Sequence, residues 1–366
     1  MIGHSFRQNV QSKPVRGIIA DRSEVVQMVE RISIESLEMP GLEAYRTMKW
    51  QAEQRSQGIF VAEGEKVVRR LLESNLTVLS VLLPEKWFDD LAPIMRKRPE
   101  KIRAYVAEKK VLENLTGFSM YQGVLAEARV PEPATLEEMI ARRLTGQPLL
   151  VAVEGVSSAE NLGSLVRNCV AFGVDGLLVG ETCCSPYLRR AVRSSMGTIF
   201  KLPVLETPSL ANTLAQLKTA GIHCAAAHPH TTQRRIDEAD FRTPHCILLG
   251  AEGTGLTPAM LDACDEAVLI PMQQEVDSLN VATAGAVFLY EAMRQRGFAT
   301  AAAQDSPAAK FREHFGDLLQ KYRCEHRGLI EFDGKNFTVH EQEFDFALVQ
   351  EIAHRARALN LRVRLM

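Results

Sequence analysis

Three short segments in the second half of the sequence collect the side chains best suited to holding a ligand. In VEGVSSAENLGSLVRN, 153–168, Asn161, Gly163 and Arg167 follow an apolar stretch and open a helical one. Asn161 is a good helix cap, Gly163 lets a ligand or another backbone come close, and Arg167 could meet a phosphate or a ribose. In CILLGAEGTGL, 246–256, Gly250, Gly253 and Gly255 surround Glu252 at the end of an apolar run. Their G-x-x-G-x-G spacing is neither the dinucleotide fingerprint nor a phosphate-binding P-loop, yet it permits a backbone wall for a flat ligand. In LIPMQQEVDSLNVATAGAV, 269–287, Ser278 and Asn280 offer hydrogen-bonding groups where a long helix of small residues begins. Taken singly, each segment has a plainer reading: a capped helix with a surface Arg, a turn, and a helix buried on a sheet.

The elements that must position these residues alternate regularly. Strands are expected at 149–154, 176–179, 202–205, 222–227, 245–249 and 267–271. Helices are expected at 163–172, 187–195, 209–219, 257–263 and 278–296. That alternation predicts a parallel, doubly wound sheet, whose ligands bind at the carboxyl ends of the strands. All three segments begin there.

Taken together, the segments carry a family resemblance. Asn161-x-Gly163-x-x-x-Arg167 with Phe172-Gly173, then Gly250-x-Glu252-Gly253-x-Gly255-Leu256, then Ile270-Pro271-Met272 with Ser278-Leu279-Asn280-Val281, closely resemble the three motifs of the SpoU (TrmH) family of RNA ribose 2′-O-methyltransferases in content, order and separation. RRAVRSSMGTIFKLPV, 189–204, is similar to the family's segment between the first two motifs. The resemblance covers 149–296. Residues 44–128, and GIFVAEGEKVVRRLLES at 58–74 in particular, resemble the α/β/α substrate-binding domain that many members carry ahead of the catalytic one.

The resemblance implies an α/β, parallel-sheet SPOUT methyltransferase domain with a C-terminal trefoil knot, S-adenosylmethionine as cofactor, an RNA substrate and a homodimer. By position, Gly250, Gly253, Ile270, Leu279 and Asn280 would bind the cofactor. Arg167, Asn161, Glu252, Ser278 and Asn280 would form the catalytic set. Arg167, Arg193 and Ser195 would meet the RNA. Arg167 suits an electrostatic role better than that of a general base, because a guanidinium stays protonated. Two positions depart from the family pattern: Gln274 stands where a Gly is usual and Ala282 where a Ser is usual. Both are expected to bear on cofactor affinity. A structured rRNA element is favoured over tRNA as substrate, since a domain of this kind reads shape and backbone.

The divisions expected are a tail and helix at 1–40, an RNA substrate-binding α/β domain at 41–130, and a linker at 131–148 marked by Pro131, Pro133, Gly146 and Pro148. The methyltransferase domain follows at 149–298, then an Ala-rich linker at 299–310 and a small α+β extension at 311–366 with a hairpin around Asp333-Gly334. The chain of 366 residues has a net charge of −2. Residues 41–130 carry +3 of it, against −5 over 131–299, and include RKRPEKIR at 96–103 as weak support for a polyanionic partner. No apolar run is long enough for a membrane span and the N-terminus lacks a secretory core, so a cytoplasmic location is expected.

Seven cysteines without a C-x-x-C pair read as reduced and packed. His223-Cys224, His228-Pro229-His230 and Cys246 lack the four-ligand spacing of a zinc site and read as a loop after a strand, so no metal is expected. Two other classes compete. A catalytically silent RNA-binding relative would fail to bind S-adenosylmethionine, and a nucleotide-dependent α/β enzyme would bind NAD or ATP.

Overall fold

The structure, a computed structural model, describes residues 29–48, 50–108, 110–112, 123–141, 147–273, 276–297, 310, 311, 314, 315, 318, 329–332, 336–340, 346–359 and 361–365. The chain divides into two compact units: residues up to Glu132 with Pro186–Lys201, and Pro133–Ser185 with the chain from Leu202 onward.

In the first unit the strands are β1 (Val29–Ser33), β2 (Ile59–Glu63), β3 (Val78–Leu83), β4 (Ile102–Val106) and β5 (Leu125–Arg129). They form one sheet in the order β1-β4-β3-β5-β2. The helices are α1 (Glu43–Arg46), α2 (Gln51–Ser56), α3 (Glu65–Leu72) and α4 (Glu85–Met95). The apolar spacing of Val25, Val26, Val29 and Ile32 predicts a helix, but residues 29–33 are a strand. β1 runs parallel to β4, with Val29 opposite Ile102 and Ser33 opposite Val106. An open sheet edge offers its backbone groups partners along the whole segment, and such pairing outweighs a local periodicity carried by β-branched residues. Residues 25–28 lie outside the described ones.

The basic run 96–103 also has a different meaning in three dimensions. Arg98 is buried, donating to the carbonyls of Leu72, Ser74 and Leu76 and pairing with Glu100 at 2.7 Å. Lys101 pairs with Glu30 at 2.8 Å. Arg98 therefore holds the turn into β3 and offers no charge to a partner.

The second unit contains β6 (Leu149–Val153), β7 (Gly176–Val179), β8 (Val204–Glu206), β9 (His223–Ala227), β10 (Arg234–Arg235), β11 (His245–Leu249) and β12 (Glu266–Leu269). Every pairing among them is parallel, in the order β10-β12-β9-β11-β6-β7-β8. The central strands LLVAV and HCILL are buried at every residue, as expected for a sheet covered on both faces. Their cover includes α5 (Leu136–Ala141), α6 (Ala159–Ala171), α7 (Leu210–Thr219), α8 (Pro258–Ala263) and α9 (Val281–Arg296).

The small residues of α9 have a direct use. A Cβ built on Gly285 would lie 2.4 Å from Leu165 Cδ1 of α6, so the two helices approach as closely as a bare glycine allows. Asn168 of α6 adds a hydrogen bond from Nδ2 to the Ala282 carbonyl at 2.8 Å.

Near the C-terminus, β13 (Leu329–Phe332) and β14 (Asn336–His340) pair antiparallel, and β15 (Arg362–Leu365) lies parallel to β14. With α10 (Phe346–Ala358) they enclose a separate core of Phe311, Phe315, Phe337, Val339, Leu348 and Ile352. The expected turn at Asp333-Gly334 lies outside the described residues. Among the described residues no helix is long and apolar enough to cross a membrane.

Candidate active site

The carboxyl ends of β9, β11 and β12 open into one cleft, and the exit of β6 lies beside it. β6 ends at Val153, and the next residue, Glu154, accepts from the Thr257 backbone N–H and from its hydroxyl, both at 2.8 Å. That pair fixes the exit of β6 against the start of α8, where Thr257 is the cap. After β11 the chain turns tightly, with Gly255 N–H donating to the Ala251 carbonyl at 3.0 Å. Gly253 and Gly255 have φ of +93° and +67°, which glycine adopts without strain. Gly250 is needed for space: a Cβ there would lie 2.5 Å from the Gly255 carbonyl carbon and 2.6 Å from the Leu256 nitrogen.

Asn161 does not cap its helix as its sequence position suggests. Ser158 does so, its Oγ accepting from the Asn161 backbone N–H at 3.3 Å. The Asn161 amide is thereby released to donate from Nδ2 to Glu252 Oε1 at 2.5 Å. Asn280 Nδ2 donates to the same carboxylate oxygen at 2.5 Å and to Asn161 Oδ1 at 3.0 Å. Its own Oδ1 caps α9, accepting from the Ala282 and Thr283 N–H groups at 2.9 and 3.4 Å. The helix expected from Ser278 thus begins at Val281, with Asn280 as its cap. One residue from each of the three segments, up to 119 positions apart, meets at a single carboxylate.

Of the other expected residues, Gly250, Gly253, Ile270, Ser278 and Leu279 line the cleft together with Glu252. Arg167 lies two turns into α6 on its exposed side and makes no hydrogen bond or ion pair among the described residues. Ala282 is buried against α6 and is absent from the cleft wall, so this departure from the family pattern falls on helix packing. Gln274 lies outside the described residues.

Arg193 and Ser195 belong to the first unit, on and just after the short helix Arg189–Ser194. Arg193 is largely exposed and pairs with Glu63 at 2.6 Å, and Arg189 pairs with the same carboxylate. Ser195 is fully buried, its hydroxyl donating to the Val192 carbonyl and accepting from Gly197 N–H. It closes a turn in which Met196 has φ of 55°, so the expectation that Ser195 touches RNA gives way to a role in shaping the backbone.

The sequence reading passed over Asp277 and Phe288 and took His228 and His230 only as part of a loop, and all four line the cleft. The signal was available for the histidines, which follow β9 at its carboxyl end as the other site residues follow β6 and β11. The cleft pairs an apolar floor of Val268, Ile270, Leu279 and Phe288 with the polar rim of Glu252, Asp277 and Ser278. A flat heterocycle fits against the bare backbone at Gly253 and Gly255, and hydroxyl or cationic groups fit at the carboxylates. Burial pushes Cys184 up to about 11 and Cys264 up to about 12, far from a neutral-pH thiolate.

The family model described as the SpoU rRNA Methylase family matches residues 148–290. An uncharacterized tRNA/rRNA methyltransferase of Mycobacterium tuberculosis is 38% identical over 244 residues, covering 64% of this chain and 81% of that protein. The 23S rRNA (guanosine-2′-O-)-methyltransferase RlmB of Acinetobacter baylyi is 32% identical over 239 residues, covering 64% of this chain and 96% of its own. Among solved structures, the SpoU methyltransferase AviRb of Streptomyces viridochromogenes, in complex with AdoMet, is 25% identical with a TM-score of 0.61. It covers 69% of this chain and 97% of its own. With the three motifs joined at one carboxylate and relatives of this similarity, the chain belongs to the SpoU methylase family.

Proposed function

We propose that this protein methylates a ribose 2′-hydroxyl in structured RNA, with rRNA favoured over tRNA, using S-adenosylmethionine as the methyl donor. The observation that carries the reading is the Asn161–Glu252–Asn280 hydrogen-bonded frame beside a cleft whose wall is bare backbone at Gly253 and Gly255. Relatives named as 23S rRNA guanosine-2′-O-methyltransferases and an AdoMet-bound neighbour support it.

When bound, S-adenosylmethionine supplies a sulfonium methyl group whose transfer leaves a neutral thioether. Gly250, Gly253, Ile270 and Leu279 hold the adenosyl part, and Ser278 and Asn280 orient it from the start of α9. Glu252, fixed by two amide donors, keeps the mouth of the cleft rigid. Rigidity matters because much of the rate of such a displacement comes from positioning.

Arg167 lies outside the frame with its guanidinium uncommitted among the described residues, and a guanidinium does not act as a base near neutral pH. It stabilises negative charge developing on the 2′-oxygen and holds the neighbouring phosphate. We read the segments after β11 and β12 as the trefoil knot of the family, which brings both onto one cleft, and the active form as a homodimer. The α/β unit up to Glu132 serves as the RNA-binding domain, with exposed Arg193 as a contact.

The test is methyl transfer from labelled S-adenosylmethionine to purified rRNA and tRNA, followed by nucleoside analysis. A 2′-O-methylated nucleoside, formed more readily from rRNA, is the expected product. Methylation on a base would overturn the ribose assignment, and failure to bind S-adenosylmethionine in a calorimeter would point to the silent relative.

A further inference from the structure

The far end of the second unit's sheet holds a cluster that the function above does not use. His223 opens β9, His245 opens β11 and Glu266 opens β12, which are adjacent strands in the sheet. Their possible ligand atoms all lie within 4.8 Å of one another. Residues 22 and 21 positions apart converge only because the three parallel strands begin at the same level.

His245 is the informative member. It is 2% exposed, and its Nδ1 lies 2.9 Å from the Thr243 carbonyl. An N–H on Nδ1 donates there, which leaves Nε2 with the lone pair. That Nε2 is buried and has no hydrogen-bond partner among the described residues. A buried acceptor left unmatched costs stability, so its retention calls for a partner. The arrangement is also that of a metal-ligating imidazole, whose second nitrogen donates to a backbone carbonyl and thereby fixes the tautomer.

The other two members suit the same ligand. Glu266 Oε1 lies 3.3 Å from His223 Nε2, while its second oxygen, Oε2, is taken by Arg234 Nε at 2.5 Å. One carboxylate oxygen is thus turned toward the imidazoles. The His223 side chain is partly exposed, with its Nδ1 3.8 Å from Asp265 Oδ2, and its ring centroid is 5.0 Å from that of His245. Donors on one zinc ion sit about 3.3 Å apart for bonds of about 2.0–2.1 Å, so closure from separations of up to 4.8 Å needs side-chain shifts of up to about 1.5 Å.

We propose that His223 Nε2, His245 Nε2 and Glu266 Oε1 form a binding site for a zinc-class divalent cation, with water completing the coordination. The chemistry of two imidazoles and one carboxylate suits such an ion better than magnesium or calcium, which prefer all-oxygen sets. The role is structural. The site lies at the amino ends of strands whose carboxyl ends form the cleft, about 13 Å away at about 3.3 Å per residue. Arg234 and Lys218 flank it, Lys218 pairing with Asp265 at 3.0 Å, so affinity must come from direct coordination and not from a negative field.

The experiment uses the full-length protein, stripped with a chelator and titrated with Zn²⁺ by calorimetry and with Co²⁺ by visible absorption. One ion per chain is expected, with a rise in unfolding temperature on zinc addition and no change in S-adenosylmethionine affinity. His223→Gln and Glu266→Gln should each weaken binding by about tenfold or more. Both positions are partly exposed, so these variants should fold even where His245→Gln does not. Doubly substituted His228→Gln/His230→Gln protein should bind zinc like the parent. Absence of stoichiometric binding would overturn the proposal. So would binding that survives both His223→Gln and Glu266→Gln, or that disappears only in the His228/His230 double variant.

Discussion

The two ends of the seven-stranded sheet are built on opposite plans. At the amino ends, side chains cap the backbone. Asp175, fully buried, accepts from the Leu149 N–H at 2.9 Å, and Asp265 accepts from the Cys224 N–H at 2.8 Å. Arg296 donates to the carbonyls of Gln147, Pro148, Phe241 and Thr243. At the carboxyl ends, side chains bond to each other in the Asn161–Glu252–Asn280 frame, and the backbone at Gly253 and Gly255 stands open at the cleft. The amino end spends its polar groups on closing the fold, and the carboxyl end keeps them for something that must come and go. Substitutions at the two ends should therefore separate stability from activity.

The largest effect is expected at Arg167. On the proposed function, Arg167→Ala lowers the methyl-transfer rate by about 10²–10³ with little change in S-adenosylmethionine affinity or melting temperature. Arg167→Lys should retain part of that rate. Near-normal turnover of Arg167→Ala in a single-turnover assay would remove Arg167 from the reaction.

Next comes Arg296→Ala at the opposite end, which strands carbonyls that a guanidinium now satisfies. It should cost about 2–3 kcal/mol in denaturant unfolding while cofactor affinity is kept. An equal loss of stability and affinity would dissolve the contrast between the ends.

Gly250→Ala places a methyl group against the Gly255–Leu256 backbone. Cofactor binding should fall at least about tenfold by calorimetry, since the loop must move to admit it. Asn280→Ala removes both a helix cap and the link between Asn161 and Glu252. The cap alone is worth about 1 kcal/mol, so a stability loss of that size with a larger loss of rate would confirm the frame's positioning role. A loss confined to stability would reduce Asn280 to a cap.

The smallest effect serves as a control in the first unit. Burial raises the Glu127 carboxyl above 4.5, although Ser80 donates to it at 2.8 Å. A raised value in the fold means that ionised Glu127 opposes folding, so its contribution is favourable at low pH and is lost as pH rises through the folded value. Glu127→Gln should raise the unfolding temperature at neutral pH and leave it unchanged below pH 4.5, with no effect on activity.

Much of the second unit was legible because a parallel sheet covered on both faces leaves a plain record. LLVAV, GLLV and HCILL are apolar runs of strand length, punctuated by loops that carry polar residues and glycines. The motif residues that reached the cleft did so because each follows such a run. Local patterns misled wherever a side chain's partner was remote. Asn161 looks like a cap until Ser158 takes that position and Glu252, 91 residues on, takes the amide. Val29–Ser33 reads as helix until β4 supplies an edge. Ser195, in a family-like segment, reads as surface until its burial is seen.

The sequence by itself determined the strand and glycine pattern of the catalytic half, the three polar segments and their order, since these depend on residue type and short spacing. Only the tertiary structure decided which atoms meet. A carboxylate shared by Asn161 and Asn280, and a buried imidazole nitrogen facing His223 and Glu266, arise from strands aligned side by side. Alignment of that kind is fixed by backbone hydrogen bonds and core packing across tens of residues, and no local window of sequence contains it.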